Sequence, residues 1–214
     1  MNQSFDRQAG IALIIFCILL VCTIVLHPAG GSIQHLINMT TLIVITHSIA
    51  ICSLPLGWVG FWGLTRKIGM DHFWSVLAFA MVSLGLVAAL CAAATNGLVL
   101  PIYLQHYAEA PTETPNVIDP VLRYSFAVNH AFDYIYTGAF CLAILCWSIA
   151  ILTTRKLATW LGWFGIALPL LIIVLLISGM AVNSVHGLRI FVTAIIVWIL
   201  LIGVSLSKQT PSPS

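Results

Sequence analysis

Three polar side chains interrupt an apolar stretch that covers residues 124–152. Asn129, His130 and Asp133 lie near the start of this stretch. Residues three and four positions apart are neighbours on a helix surface, so the three side chains would lie close together. A carboxylate inside a membrane helix costs about 2.5–3.5 kcal/mol on insertion scales, so it usually faces protein or a water-filled cavity. The spacing therefore predicts a polar site around Asp133.

The composition is that of a membrane protein. Of the 214 residues, 61% are hydrophobic and 7% are charged, whereas a soluble domain has about 25% charged residues. The apolar residues form long blocks, which favour membrane helices over the short alternating strands of a barrel. A net charge of +2 without a basic run argues against a nucleic-acid partner. The lipid bilayer is the partner that this composition predicts, and it gives no oligomeric state.

The apolar blocks predict an all-α fold, a single bundle of six transmembrane helices within residues 1–206. A short cytoplasmic tail, residues 207–214, would follow. The predicted spans are residues 9–26, 39–64, 73–100, 124–152, 157–180 and 186–206. Residues 27–38 predict a turn-rich connection. The longest connection, residues 101–123, contains four prolines, and loops of this length are often lids or binding segments.

Basic residues orient the predicted bundle. On the side that holds both termini lie Arg7, Arg66, Lys67, Arg155, Lys156 and Lys208. On the opposite side lie only Arg123 and Arg189. Positive residues concentrate on the cytoplasmic side of membrane proteins, so both termini are expected in the cytoplasm.

This orientation collects polar residues in the outer half of the bundle. His47 and Asp133 each lie about eight residues into their spans, and both would be about 12 Å below the outer boundary. Of the seven histidines, only His72 falls on the cytoplasmic side. These positions predict an outward-facing pocket. Its candidate ligand-binding residues are His47, Asn96, Asn129, His130, Asp133, His186 and Arg189.

The hypothesis that these residues favour is non-enzymatic. Intramembrane histidines and carboxylates often mark proton relays and substrate paths, so the pocket would bind or pass a small ligand, with proton linkage left open. Residues 101–123 would then cover its mouth. The competing interpretation is purely structural, because buried polar groups need partners whether or not they act. In that case Asp133 would pair with His47, His130, Arg189 or Arg123.

Two cofactor hypotheses use the same histidines and would make the protein a membrane hydrolase or oxidoreductase. His47, His130 and Asp133 are candidate zinc ligands, with His186 as a possible fourth, an arrangement that suits hydrolysis. Alternatively, His47 and His130 would ligate a haem beside the space left by Gly85. No pair of histidines has the H-E-x-x-H spacing of zinc hydrolases, and nothing is specific to haem. An enzyme therefore stays open, but a binding function is favoured.

A basic turn and a tryptophan motif carry one resemblance. Residues 155–165 combine an Arg-Lys turn with Trp-Leu-Gly-Trp at residues 160–163. This segment and the spacing of the six spans resemble the fifth-helix start and the span spacing in a group of uncharacterised bacterial six-helix membrane proteins. Ala158 stands where that group has a proline. The resemblance implies a multi-pass protein of the bacterial inner membrane, and it implies no activity or site residue.

Overall fold

The computed structural model describes residues 3–28, 33–106, 114–177 and 185–208, which are almost entirely helical and contain no strand. The helices are α1 (Gln3–Leu26), α2 (Ile33–Asn38), α3 (Thr40–Ile68), α4 (Phe73–Ala94), α5 (Leu100–His106), α6 (Thr114–Thr154), α7 (Thr159–Ile177) and α8 (Val185–Ser207). A π-helical turn (Thr95–Val99) joins α4 to α5.

Four helical stretches are long and apolar enough to cross a membrane: Ser4–Leu26, Thr40–Ile68, Phe73–His106 and Ile118–Thr154. The described parts of α7 and α8 give shorter apolar stretches, Thr159–Ile172 and Val192–Ser207. Large apolar side chains such as Val25 and Phe73 are exposed on the outer surface, as expected where lipid is the solvent. The predicted all-α class is confirmed for the described residues, which include four candidate membrane-spanning helices.

Within the described residues, the six long helices form a ring in chain order. Helix α1 packs on α3, α3 on α4, α4 on α6, α6 on α7, α7 on α8, and α8 packs back on α1. The most extensive contacts are those of α4 with α6 and of α1 with α3. Because each long helix contacts the next one along the chain and α8 contacts α1, all six long helices border the interior of the ring.

Small residues let α1 approach both of its neighbours. A Cβ atom at Gly10 would lie 2.6 Å from the carbonyl oxygen of Gly203, so α1 and α8 touch through their backbones. On the other side, Gly63 of α3 lies directly against Ala9. The hydrophobic effect does not drive helices together in lipid, so their association depends on close packing, which small residues at helix crossings allow.

Stacked aromatic side chains fill the interior of the helix ring in one half of the bundle. This half holds the two basic turns, residues 66–67 and 155–156. Phe61 stacks on Trp147 at 5.2 Å between ring centroids, and Trp147 stacks on Trp198 at 6.3 Å. Trp147 Nε1 donates a hydrogen bond to Thr65 Oγ1 at 3.2 Å, and Trp198 Nε1 donates to the Leu161 carbonyl at 3.1 Å. We refer to Phe61, Trp147 and Trp198 as the aromatic stack.

An ion pair and a cation–π contact lie at the same end of the bundle. Lys67 Nζ lies 3.6 Å from Asp6 Oδ2, and the carboxylate is almost fully buried. The guanidinium of Arg66 lies over the ring of Phe5 at 4.6 Å. These contacts attach the start of α1 to the end of α3.

The prediction of a loop at residues 101–123 is wrong wherever the structure describes it. Residues up to His106 continue as α5, and α6 begins at Thr114, ten residues before the predicted span. Pro115 is the second residue of α6, where proline costs little because its missing N–H has no partner there. Pro101 lies inside the continuous stretch Phe73–His106, directly after the π-helical turn and Leu100. Residues 107–113, the rest of the predicted lid, lie outside the described residues.

A second apolar cluster explains why these segments are helical. Its buried members, drawn from α2, α3, α5 and α6, are Leu36, Ile43, Leu100, Leu104, Ile118 and Leu122. Helical conformation places the apolar side chains of α2 and of α5 on one face of each segment, where they pack into this cluster. The prediction of a turn-rich connection at residues 27–38 is therefore also wrong for Ile33–Asn38, which is helix α2.

Candidate functional site

A cavity of about 210 Å³ lies inside the ring, in the half away from the basic turns. Five of the long helices and His27 contribute to its wall, which is mostly apolar. Its lining includes Phe16, Thr23, His27, Ala89, Ala93, Asp133, Tyr136 and Phe140. Its inner end meets the aromatic stack, because Phe16 and Phe140 both contact Phe61, with ring centroids 6.0 and 6.1 Å apart.

Polar groups line the cavity at Thr23, His27, Asp133 and Tyr136. Thr23 Oγ1 donates to the Leu19 carbonyl at 2.9 Å, so its hydroxyl proton is used within α1. Asp133 Oδ2 accepts a hydrogen bond from Asn129 Nδ2 at 2.9 Å. This bond holds the carboxylate on the wall of the cavity and is the one hydrogen bond of Asp133 within the described part of the chain.

His27 connects the cavity to His47. The two imidazole rings lie 5.2 Å apart between centroids. His47 Nδ1 is 2.8 Å from the Ile43 carbonyl. Since a carbonyl only accepts, Nδ1 carries the proton and donates. This bond fixes the orientation of the His47 ring about two turns after the start of α3.

The π-helical turn gives His47 its space. Gly97, within this turn, lies directly against the His47 side chain and leaves no room for a Cβ atom. The neighbouring Asn96 accepts a hydrogen bond at Oδ1 from Ser125 Oγ, 2.7 Å away. Single π-turns inside α-helices occur frequently at functional sites. Here the turn ties α4 to both α3 and α6 beside the cavity.

The predicted site residues divide into distinct groups. Asp133 lines the cavity and Asn129 donates a hydrogen bond to it. His130 lies one turn before Asp133 on α6, close enough for the two groups to interact electrostatically, and its side chain is exposed. His47 contacts His27, and Asn96 contacts Ser125. The side chains of His186 and Arg189 lie outside the described residues.

Neither cofactor hypothesis finds a matching arrangement. In the described part of the chain, no three His, Cys, Asp or Glu side chains form a group that could hold a metal ion. The structure therefore does not bring His47, His130 and Asp133 together as a zinc site. For haem, the histidine beside His47 is His27 rather than the exposed His130.

Three polar lining residues were missed by the sequence analysis: Thr23, His27 and Tyr136. Tyr136 lies three residues after Asp133, so helical spacing from that candidate would have found it. His27 was assigned to a connection because it follows the first apolar block, and it lies four residues after Thr23, which was not a candidate. Spacing from a suspected residue therefore gave no signal for Thr23 or His27.

No family model, curated protein or solved structure matches this chain.

Proposed function

We propose that the protein is an integral protein of the bacterial inner membrane with six spans and both termini in the cytoplasm, and that its cavity opens outwards and binds a small ligand. The lengths of α7 and α8, 19 and 23 residues, support six spans, because about 20 residues cross the hydrocarbon core. The excess of basic residues beside the termini supports the orientation.

The observation that carries the binding function is the position of Asp133. A membrane carboxylate normally faces protein or a water-filled cavity, and Asp133 lines a cavity enclosed by the ring. Small-molecule sites are mostly apolar concavities with a few polar groups that fix orientation. A residue that served only to fix helix packing would be expected in a filled interface rather than beside open space.

The aromatic stack favours binding over open passage. Trp147 and Trp198 are fully buried and close the ring interior between the cavity and the basic turns. A ligand could cross only if these rings moved apart, and interiors packed in this way do not open without rearrangement. The proposed function is therefore binding from the outer side, and any transport would need a second conformation.

A cavity-filling substitution tests the binding function. Ala89→Phe would fill the cavity, and Leu90→Phe is the matched control because Leu90 is exposed on the lipid-facing side of α4. The probe is benzyl alcohol, measured by saturable binding to protein in lipid nanodiscs against empty nanodiscs. We expect binding to wild type and to Leu90→Phe, and none to Ala89→Phe. Equal binding to the two variants, or none to wild type, would contradict the proposal.

A further inference from the structure

We propose that the cavity takes a small amphipathic cation, a protonated primary amine on one aromatic ring or a short alkyl chain, with its apolar end inwards and its ammonium group beside Asp133. This inference rests on the proposed binding function and names its ligand class. It follows from how polarity, charge and volume are distributed in the cavity.

Polarity changes along the depth of the cavity. Phe16 and Phe140 form the inner end against the aromatic stack. Asp133 lies seven residues before Phe140 on α6, and His27, the residue directly after α1, lies eleven residues after Phe16. At 1.5 Å per residue, each is about 10–16 Å further out along its helix. The bound molecule would therefore bury its apolar part first and keep its polar group at the outer rim.

Charge selects a cation for that rim. Among the described residues, no lysine or arginine lines the cavity, and the ion pairs involve Asp6 and Asp119 instead of Asp133. His130, one turn before Asp133, interacts with the carboxylate electrostatically but is exposed and forms no ion pair with it in the described part of the chain. Asn129 occupies Oδ2 of the Asp133 carboxylate, and an ionised carboxylate has further lone pairs that only accept. A primary ammonium group supplies donors and the opposite charge, which makes the strongest class of hydrogen bond.

Volume limits the apolar part. A dry apolar cavity of about 150 Å³ binds benzene, and this cavity measures about 210 Å³. The available space therefore fits one aromatic ring with a short substituent, or an alkyl chain of similar size. Larger amphiphiles such as lipids would not fit inside the ring.

Two probes of equal shape test the charge preference on the unmodified protein. Benzylammonium and benzyl alcohol differ mainly in charge, and benzoate supplies the opposite sign. In nanodiscs of uncharged lipid, we expect wild type to bind benzylammonium about tenfold more tightly than benzyl alcohol, with benzoate weaker than both. Asp133→Asn should bring the two affinities together, while Asp119→Asn, which removes an exposed carboxylate of the same helix that is paired with Arg123, should leave the preference intact.

The outcomes separate this inference from the proposed function. Equal binding of benzylammonium and benzyl alcohol to wild type would overturn the cation preference, although a cavity that binds small molecules would remain. Binding of neither probe would overturn both. An increase in benzylammonium affinity in Arg189→Gln would show that Arg189 is the resident partner of Asp133, and it would also overturn the inference.

Discussion

At the scale of single residues, a few buried polar contacts hold the helices together at the end of the bundle that carries the basic turns. Thr65 accepts the Trp147 indole hydrogen bond through its hydroxyl and the Ser75 hydroxyl through its carbonyl. All three side chains are fully buried. One threonine therefore links α3 to α4 and α6, and lipid offers no replacement partner for a lost hydrogen bond.

We expect Thr65→Val to lower the free energy of unfolding by about 1–3 kcal/mol, because it leaves the buried Trp147 N–H without an acceptor. Thr65→Ser keeps the hydroxyl and is the matched control. The measurement is SDS-titrated unfolding followed by tryptophan fluorescence. If the valine variant were as stable as the serine variant, the hydrogen bond would contribute nothing.

The Asp6–Lys67 pair yields a second prediction at this scale. Lys67→Met leaves a buried carboxylate without its cation and should cost about 3–5 kcal/mol. Adding Asp6→Asn removes the orphaned charge and should recover most of that loss. The same unfolding assay on both single variants and the double variant measures the coupling. Additive losses would mean that the two groups do not stabilise each other.

At the scale of elements, the crossings of α1 depend on the absence of side chains. Gly10 meets the Gly203 backbone, whereas Gly138 on α6 has nothing within 4 Å of the position that a Cβ would occupy. The two glycines therefore separate close packing from helix propensity. A methyl group at Gly10 has to push α1 and α8 apart, since a backbone atom cannot move aside as a side-chain tip can.

We expect Gly10→Ala to destabilise the bundle by about 1–3 kcal/mol, the usual cost of overpacking. Gly138→Ala should be neutral or slightly stabilising because alanine is the better helix former. Thermal unfolding in detergent, compared at equal protein concentration, measures both. A similar response of the two variants would argue against a close α1–α8 contact.

At the scale of the whole molecule, the proposed six-span topology predicts a labelling pattern. In a background without the six cysteines, Asn183→Cys should react with a membrane-impermeant maleimide on intact cells, and Lys156→Cys only after permeabilisation. The reason is that α7 would cross the membrane between the two positions. Reaction of both from the same side would leave α7 and α8 as helices that do not span.

The sequence predicted the helices that a local apolar run determines, and it did not predict the helices that depend on tertiary contacts. The predicted second span, residues 39–64, closely matches α3 because lipid-length apolar runs set helix existence. Pro101 and Pro120 instead suggested a loop, although the first lies within the continuous helical stretch Phe73–His106 and the second inside α6. Only tertiary contacts within the second apolar cluster decide that outcome.

In the candidate site too, one residue could be predicted from its type, whereas its neighbours depend on tertiary structure. A membrane carboxylate is costly wherever it lies, so Asp133 could be selected from its residue type alone. Which neighbours turn inwards depends on the rotation of α6 in the ring. That rotation lets Asn129 bond to Asp133 at the cavity and leaves His130 exposed. The His27–His47 contact joins the end of α1 to α3 and has no signature in spacing.

Because α1 packs on α8 as well as on α3, the ring closes only when the last helix joins the first. Val192 of α8 also lines the cavity, so the wall of the cavity is incomplete until α8 packs in place. A ribosome-bound chain that lacks α8 should form an open arc that cannot yet hold a ligand.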